Sequence, residues 1–350
     1  MFRSFHALFA TLAVALTAAA AEELSPQLIA AREGIRGMIE EGKIEHARRA
    51  ISRNLAVLPN DPVFRAMQIA VEEIYRREWG AHAKASQAPA TTARPLPPPA
   101  AAETPTAGEP YTLRDLELTL LWIPPGTFVM ANVHGSDDET PVTLSHGFWL
   151  GRTEVTQEQW RMLRPDYQNA SLFKGSSRPV DSVPWVDALE FARQLNMRER
   201  AAGRLPDGYE YTLPSEAQWE YACRAGTTGP FAGNIDSLGW YERNSGAQTH
   251  LVAQLAPNAW GLYDMHGNVW EWCYDGLEPY GARPVVDPVR GLNGAGTSAW
   301  HIIRGGGWNS AAGQCRSDLR YWRPLSTVAP GIGFRIALVP IRAPARAEAP

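Results

Sequence analysis

The sequence predicts an α+β domain with little regular secondary structure, preceded by a small helical segment. Glycine and proline are frequent, with 30 and 28 residues in a chain of 350, and both interrupt helices and strands. Twelve of the 13 tryptophans lie after Tyr111, so we expect an aromatic core in that part of the chain. Helical patterns there are short, which leaves most of the domain to turns and loops.

Two strands are predicted near the start of this domain, and its longest helix follows later. Residues 116–123 are strand-like, and a Pro-Pro-Gly turn at 124–126 leads into a second strand at 127–130. Apolar residues recur at helical spacing over 185–200, which predicts a helix there. The predicted inner face of this helix consists of Ala188, Phe191, Ala192 and Leu195.

Two shorter helices have sequence signals at their starts. Thr156 is followed three residues later by Gln159, and Ser215 is followed at the same spacing by Gln218. A hydroxyl residue and a glutamine at this spacing form a capping box, in which each side chain bonds the backbone N–H of the other residue. We therefore expect one helix to begin after Thr156 and another after Ser215.

Composition argues against wholesale disorder and against a nucleic-acid partner. Hydrophobic residues make up 45% of the chain and charged residues 20%, which is enough apolar material for a globular core. The formal net charge is -4 and the sequence pI is about 6.1. Lysine and arginine form no run or stripe that would bind phosphates, so no nucleic-acid surface is expected.

Residues 1–21 have the features of a secretory signal peptide. Arg3 provides a positive start, residues 7–20 form an uncharged apolar run, and Ala19 to Ala21 form a small-residue cleavage site. The run is too short to span a bilayer, although an uncleaved anchor helix is the alternative. The residue directly after the cleavage point is not a cysteine, so no lipid anchor is expected. These features predict a periplasmic protein without a transmembrane span after cleavage.

The chain between the signal peptide and the domain is predicted to have two parts. Residues 22–85 have helical periodicity and are similar to a single tetratricopeptide unit, with a generic helical hairpin as the alternative. Residues 86–110 contain 7 prolines and 7 alanines among 25 residues, which predicts an extended linker. The domain is placed at 111–342, and a disordered tail is expected at 343–350.

The three cysteines, Cys223, Cys273 and Cys315, predict neither a disulfide scaffold nor a zinc site. An oxidising compartment permits a disulfide between two of them, but the odd number leaves at least one thiol unpaired, and the pairing stays open. The spacings include no CxxC pair, and the scattered histidines form no HxxxH or HxH pair. A histidine-built metal site therefore has no support in the sequence.

Seven segments, in order, resemble the formylglycine-generating enzyme family, also called sulfatase-modifying factors. They are 123–130 (IPPGTFVM), 154–156 (EVT), 178–185 (RPVDSVPW), 213–222 (LPSEAQWEYA), 257–272 (PNAWGLYDMHGNVWEW), 304–308 (RGGGW) and 331–335 (GIGFR). One such block is weak evidence, but the whole series at matching spacing is specific. The resemblance implies a C-type-lectin-like α+β fold. Members include copper oxidases, iron enzymes, siderophore-maturation proteins and non-catalytic proteins.

The same resemblance argues against copper chemistry in this chain. The family's copper oxidases hold Cu(I) between two cysteine thiolates, which are soft ligands for a soft metal. Here Gly307 replaces the motif serine, Ser310 replaces the first cysteine, and Cys315 is the second. Copper is therefore not expected. Cys315 is either a residual reactive thiol or a buried or disulfide-bonded residue, and no nearby histidine would activate Ser310. The family's substrate groove would lie beside Trp308 and Cys315.

A calcium site is expected by the same resemblance. Its ligands map to the Asp264 side chain, the carbonyl oxygens of Gly267 and Val269, and the Glu271 carboxylate. Hard oxygen ligands with anionic charge suit Ca²⁺, and Gly267 permits a tight loop. The alternative is that the two carboxylates cap and pair within the turn.

Three further residues have weaker assignments. Asn234 and the carbonyl of Ile235 would contribute to a second family calcium site, whose acidic ligand has no clear match. His266, inside the calcium turn, is expected to be a surface or hydrogen-bonded residue rather than a ligand.

The sequence as a whole predicts a periplasmic accessory protein that uses this domain to bind a protein partner. Its architecture is similar to that of a periplasmic regulator of type VI secretion, whose partner is the sensor side of a membrane kinase. The alternative is a periplasmic oxidative enzyme of the same family, siderophore-tailoring or sulfatase-modifying, that uses another metal or a residual thiol.

Overall fold

The computed structural model describes residues 33, 35, 104–131, 139–165, 169–292 and 298–341. The chain divides into two compact units, residues 1–98 and 99–350. In the first unit Glu33 and Ile35 are helical, and Ile35 is buried. The predicted signal peptide, the rest of the helical segment, the linker before residue 104 and the tail lie outside the described residues.

The described part of the second unit contains short strands and four α-helices. In chain order the strands are β1 (Tyr111–Leu113), β2 (Leu118–Ile123), β3 (Gly126–Ala131), β4 (Glu139–Leu144), β5 (Phe148–Gly151), β6 (Tyr209–Thr212), β7 (Trp270–Gly276), β8 (Val285–Val286), β9 (Trp300–Arg304), β10 (Tyr321–Pro324), β11 (Ile332–Gly333) and β12 (Ala337–Pro340). The helices are α1 (Gln157–Leu163), α2 (Trp185–Ala201), α3 (Glu216–Arg224) and α4 (Ile235–Leu238).

The strands form three small sheets. The first has the order β1-β2-β5-β12-β6 and is antiparallel throughout. The second has the order β10-β9-β7-β11, with β7 and β11 parallel, and the third has the order β3-β4-β8. Since β12 lies between β5 and β6, the first sheet contains strands from both the beginning and the end of the domain.

Both predicted capping boxes are confirmed. At the start of α1, Gln159 N donates to Thr156 Oγ1 at 3.2 Å and Thr156 N donates to Gln159 Oε1 at 2.9 Å. Ser215 and Gln218 make the same reciprocal pair of bonds at the start of α3, at 3.2 and 2.9 Å. These bonds satisfy two backbone N–H groups that have no partner within each helix.

The longest helix, α2, is also confirmed, and it begins at Trp185 as predicted. All four residues of its predicted inner face are buried. The indole of Trp185 donates to the carbonyl of Cys273 at 2.9 Å and stacks on His301 with ring centroids 3.7 Å apart. The start of α2 is thereby fixed against the neighbouring strands β7 and β9.

The first predicted strand is shorter than expected. Leu116 belongs to a 3-10 turn, Arg114–Leu116, and Glu117 follows it in the left-handed conformation with φ 50°. Extended backbone therefore begins only at Leu118. The left-handed residue ends the turn and redirects the chain, an effect that residue composition does not reveal.

A buried ionic cluster joins α3 to β9 and to the loop before β10. Arg304 donates to Glu216 at 3.2 Å and also to Glu220. Arg320 bonds both oxygens of Glu216 at 2.8 and 2.7 Å, and Arg224 bonds Glu220 at 2.8 Å. Every carboxylate in the cluster has a guanidinium partner, which is the condition under which buried charge is tolerated.

Candidate functional site

The loop before β7 has an unusual backbone. Asp264, Gly267 and Asn268 all have positive φ, at 57°, 119° and 60°. A Cβ at Gly267 would lie 2.2 Å from the carbonyl oxygen of Trp240, so the loop has room only for glycine at this position. This confirms the expectation that Gly267 permits a tight turn, and left-handed backbone at the other two residues stores strain.

Asp264 has one satisfied and one unsatisfied carboxylate oxygen. The side chain is buried, and its Oδ2 atom accepts a hydrogen bond from Ala253 N at 2.8 Å. Its Oδ1 atom is buried and has no hydrogen-bond partner among the described residues. An unpartnered carboxylate oxygen away from water is costly unless a cation or proton reaches it.

Glu271 is fully buried and forms an ion pair that the sequence did not predict. Its two oxygens accept from Arg335 Nε and Nη2, each at 2.6 Å, and Trp219 Nε1 donates to the same carboxylate at 2.7 Å. Arg335 also donates to the carbonyls of Gly151 and Tyr263 at 2.9 and 3.0 Å. The partners of Glu271 therefore come from outside the turn.

Glu154 is a third buried carboxylate here, which the sequence analysis missed as a site residue. Its Oε2 atom accepts from Asn268 Nδ2 at 2.8 Å, and its Oε1 atom accepts from Val269 N at 3.0 Å. The sequence contained one signal for it, because Glu154 lies in the family segment 154–156. A charged residue that is buried needs a specific partner. Its partners are more than 100 residues away in the chain and could not be identified from spacing.

The three carboxylates share one buried guanidinium. Burial raises the pKa of Glu154 well above its ordinary value, and repulsion from Asp264 and Glu271 adds to the effect. Burial also raises the pKa of Asp264, and Glu271 adds repulsion there. Burial alone would lower the pKa of Arg335, but the three carboxylates outweigh it and raise that pKa. With all four groups ionised, the cluster has a surplus of two negative charges.

These observations fit a divalent cation held by hard oxygen ligands. Among the described residues, no three His, Cys, Asp or Glu side chains are arranged to hold a metal ion. The site implied by the resemblance needs only the side chains of Asp264 and Glu271, because Gly267 and Val269 contribute backbone carbonyls. The unpartnered Oδ1 atom of Asp264 is the feature that calcium would satisfy.

The second predicted calcium set has a different role in the structure. Asn234 caps α4, and its Oδ1 atom accepts from Asp236 N at 3.1 Å. The carbonyl of Ile235 accepts from Gly239 N at 3.0 Å at the end of the same helix. Both oxygens are therefore used by the helix, and calcium at this position stays a prediction of the resemblance.

We call the surroundings of Ser310 and Cys315 the thiol pocket, and its one cysteine is deeply buried. Cys315 is 0% exposed, and burial raises the pKa of its thiol to about 12. A Cβ at Gly306 would lie 2.4 Å from the sulfur, so the preceding turn packs directly on it. The hydroxyl of Ser310, in the position of the other family cysteine, accepts from Gly307 N at 3.0 Å. The Cys315 thiol is therefore protonated at neutral pH, and Ser310 has no thiol to offer.

Trp308 lies in the same loop as Cys315 and is partly exposed. Its ring meets Phe173 edge to face, with centroids 5.3 Å apart. Its backbone N–H donates to the carbonyl of Asn268 at 2.8 Å, and its carbonyl accepts from the hydroxyl of Ser245 at 2.7 Å. The backbone of Trp308 is thus bonded directly to the loop at 264–271, which contains the residues predicted to bind calcium.

All three cysteines are free and buried, which answers the open question of disulfide pairing in this structure.

His266 is buried rather than at the surface. Its Nδ1 atom donates to the carbonyl of Cys315 at 2.8 Å, and its Nε2 atom accepts from Ala232 N at 3.1 Å. Burial lowers the pKa of His266 to about 4, so the ring is neutral at physiological pH.

Comparisons with known proteins agree with this fold. Residues 112–339 match the family described as the sulfatase-modifying factor enzyme 1-like domain. Treponema denticola variable protein 1 is similar with a TM-score of 0.58 and 27% identity, over 65% of this chain and 98% of that one. PvdO from Pseudomonas aeruginosa has a TM-score of 0.56 and 23% identity, over 67% and 99%. These likenesses support the predicted C-type-lectin-like α+β fold.

Curated relatives include proteins of different kinds. Chaperone protein LppX of Paenibacillus barcinonensis is 30% identical in an alignment of 239 positions that covers 55% of this chain and 79% of the relative. The formylglycine-generating enzyme of Streptomyces coelicolor is 32% identical over 212 residues, 54% of this chain and 60% of the enzyme. Serine/threonine-protein kinase pkn1 of Chlamydia pneumoniae is 29% identical over 245 residues, 61% of this chain and 36% of the kinase.

The match at 112–339 covers more than half of the 350 residues and contains both the loop at 264–271 and the thiol pocket. The chain therefore belongs to the sulfatase-modifying factor enzyme 1-like family.

Proposed function

We propose that this chain is an exported accessory protein that binds a protein partner through its sulfatase-modifying-factor domain, without copper chemistry. The observation that carries the proposal is the thiol pocket. Cys315 is buried with a pKa near 12, and Ser310 occupies the position of the family's first cysteine. A serine hydroxyl is a poor ligand for Cu(I), so the soft two-sulfur site of the oxidases is missing.

The comparisons support a binding role without identifying the partner. One relative is called a chaperone, and another is called a kinase, of which the aligned region covers 36%. Folds of this kind present irregular loops on a rigid scaffold, and such loops form binding surfaces. No helix among the described residues is long and apolar enough to cross a membrane. The signal-peptide features favour the periplasm as the place of action.

The proposed partner is the periplasmic part of a membrane protein, such as the sensor side of a kinase that regulates type VI secretion. The proposed contact is the groove beside Trp308, where a partly exposed indole and Phe173 offer an aromatic surface. Aromatic side chains of this kind supply large contact area at low entropy cost.

We further propose calcium as a structural ion of the domain. Asp264 and Glu271 would hold it through their carboxylates, and Gly267 and Val269 through their carbonyls. Bound calcium would supply the positive charge that the surplus of buried carboxylates lacks. The loop would then be ordered by ligand binding, which adds to the stability of the folded state.

Affinity capture from periplasm tests the binding role. Full-length tagged protein is compared with Trp308→Ala and with the control Trp300→Ala, which removes a more exposed tryptophan from β9. We expect the Trp308 variant to lose a captured protein that the unsubstituted protein and the control retain, while all three melt cooperatively. Equal capture by all three would exclude the groove as the contact.

Elemental analysis of the same purified protein tests the enzyme alternative. A periplasmic oxidase of this family that used another metal would retain a redox metal in stoichiometric amount. The accessory role predicts calcium without copper or iron. Stoichiometric redox metal, together with turnover of a thiol or catechol substrate, would favour the enzyme instead.

A further inference from the structure

We infer that Glu154 is a positioning residue for the proposed calcium loop, although the resemblance does not place it among the ligands. It holds the loop in the conformation that presents the two ligand carbonyls. The inference rests on the calcium part of the proposed function and goes beyond its ligand set.

The backbone around Glu154 is firmly placed. Val155 N donates to the carbonyl of Phe334 at 2.9 Å, and the carbonyl of Val155 accepts from Val180 N at 2.8 Å. Two separate segments therefore hold the residue that follows Glu154. Its side chain is fully buried and points from this fixed backbone to the calcium loop.

The two bonds of Glu154 fall on consecutive loop residues. One oxygen accepts from the side chain of Asn268 at 2.8 Å, and the other accepts from the backbone N–H of Val269 at 3.0 Å. Asn268 has φ 60°, in the left-handed region that few L-residues adopt and that Asn tolerates better than most. Because Asn268 lies between Gly267 and Val269, its backbone angles set the relative orientation of the two carbonyls proposed as ligands.

The unpartnered Oδ1 atom of Asp264 lies in the same buried region as Glu154. A cation entering the loop would be attracted by the ionised carboxylates there, in surroundings where little water screens them.

Glu154→Gln separates this role from a general contribution to stability. The variant is nearly isosteric and removes the charge and one acceptor. Glu199→Gln is the matched control, because Glu199 is also fully buried and accepts two bonds of 2.7 Å from Arg204, away from the loop. For each protein we would measure calcium affinity by calorimetry, tryptophan-sensitised Tb³⁺ emission, and the thermal midpoint in EGTA and in Ca²⁺.

We expect Glu154→Gln to weaken calcium binding by about 10- to 100-fold, as found when a partner that orients metal ligands is replaced. Its Tb³⁺ emission and its calcium-dependent rise in midpoint should fall in parallel. Glu199→Gln should lower the midpoint in EGTA and leave the calcium increment intact. The increment is the decisive readout, since a purely structural role would change the midpoint in EGTA and not the response to the ion.

Two other outcomes are informative. If all three proteins bind calcium equally, Glu154 is not a positioning residue, while the calcium proposal stands. If the unsubstituted protein shows neither binding heat nor Tb³⁺ emission, the calcium proposal and this inference both fail. If Glu154→Gln does not fold, Glu154→Asp is measured instead. Its shorter side chain keeps the charge but cannot reach both donors, so affinity equal to that of the unsubstituted protein would overturn the inference.

Discussion

Arg335 donates one hydrogen bond of 2.6 Å to each carboxylate oxygen of Glu271, and both side chains are fully buried. The two residues are 64 positions apart and lie in β7 and just after β11, which are parallel neighbours in one sheet. The ion pair thus joins the proposed calcium loop to the last part of the domain.

Arg335→Met should destabilise the fold strongly. Removing one partner of a buried pair leaves an uncompensated charge, which typically costs about 3–5 kcal/mol. Arg161→Met is the control, since Arg161 makes a similar two-bond pair with Glu158 on the surface. Urea unfolding should show a large loss for Arg335→Met and no measurable loss for the control. Equal losses would mean that burial of the pair is unimportant.

Copper binding should be absent and should be recoverable by substitution. The unsubstituted protein has only the thiol of Cys315 at the family copper position, and a single thiolate cannot form the two-coordinate Cu(I) site. Adding Ser310→Cys together with Gly307→Ser restores the family motif. A Cu(I) titration against a competing chelator should show tight binding in that variant alone. Tight stoichiometric binding by the unsubstituted protein that disappears in Cys315→Ser would contradict this prediction.

Export should produce a mature chain that begins at or near Glu22. The apolar run at 7–20 and the small residues at 19–21 match the two features that signal peptidase reads. Expression of the full chain in a bacterium with a periplasm, followed by mass spectrometry of the purified protein, measures the N-terminus directly. Detection of Arg3 in the mature protein would show that the segment is retained as an anchor.

Acid should destabilise the protein through His301. Burial lowers the pKa of His301 to about 4, although carbonyls of Tyr274, Asp275 and Ser298 oppose the shift. The folded state therefore resists a proton that the unfolded chain binds below about pH 6.5. The contribution of neutral His301 is complete above that pH and is lost as the pH falls to about 4. The loss is about 3 kcal/mol.

Unfolding in urea across this range checks the prediction, with His301→Asn as the comparison. The variant should be less stable at neutral pH because it loses the stack on Trp185. Its stability should fall less steeply between about pH 6.5 and pH 4. A remaining slope is expected, since burial lowers the pKa of His266 to about 4 as well. Identical slopes for the two proteins would exclude His301 as a cause.

Local features of this fold were predictable, and their partners were not. The capping boxes at Thr156 and Ser215 and the inner face of α2 depend on residues a few positions apart, so a single sequence contains the whole signal. The pair formed by Glu271 and Arg335 depends on how β7 and β11 align, and spacing along the chain does not encode that alignment. The C-type-lectin-like fold was predictable because seven family segments occur in order.

The candidate site was predicted in part for the same reason. Asp264, Gly267, Val269 and Glu271 lie within eight residues of one another, so one segment contains all the residues proposed to bind calcium. Glu154 was missed as a member because its contacts with Asn268 and Val269 cross 114 and 115 positions. The burial of Cys315 was likewise invisible, since the turn at Gly306 packs on the sulfur only after the loop has folded.

Calcium should raise the thermal midpoint of the protein. Binding to the folded state alone adds stability by mass action, and about 100 times the dissociation constant gives roughly 2.7 kcal/mol. Glu271→Ala removes one ligand carboxylate and should abolish most of the shift. It should also lower the midpoint in EGTA, because Arg335 and the indole of Trp219 both lose their acceptor.

Asn234→Ala is the matched control for this experiment. It removes the cap of α4, which should cost about 1 kcal/mol in EGTA, and it leaves the loop at 264–271 untouched. If the loop is the calcium site, this variant keeps the full calcium increment. If the increment disappears in Asn234→Ala and persists in Glu271→Ala, calcium binds at the second family position instead. Identical melts of metal-free protein in EGTA and in millimolar Ca²⁺ would mean that hydrogen bonds alone hold the turn.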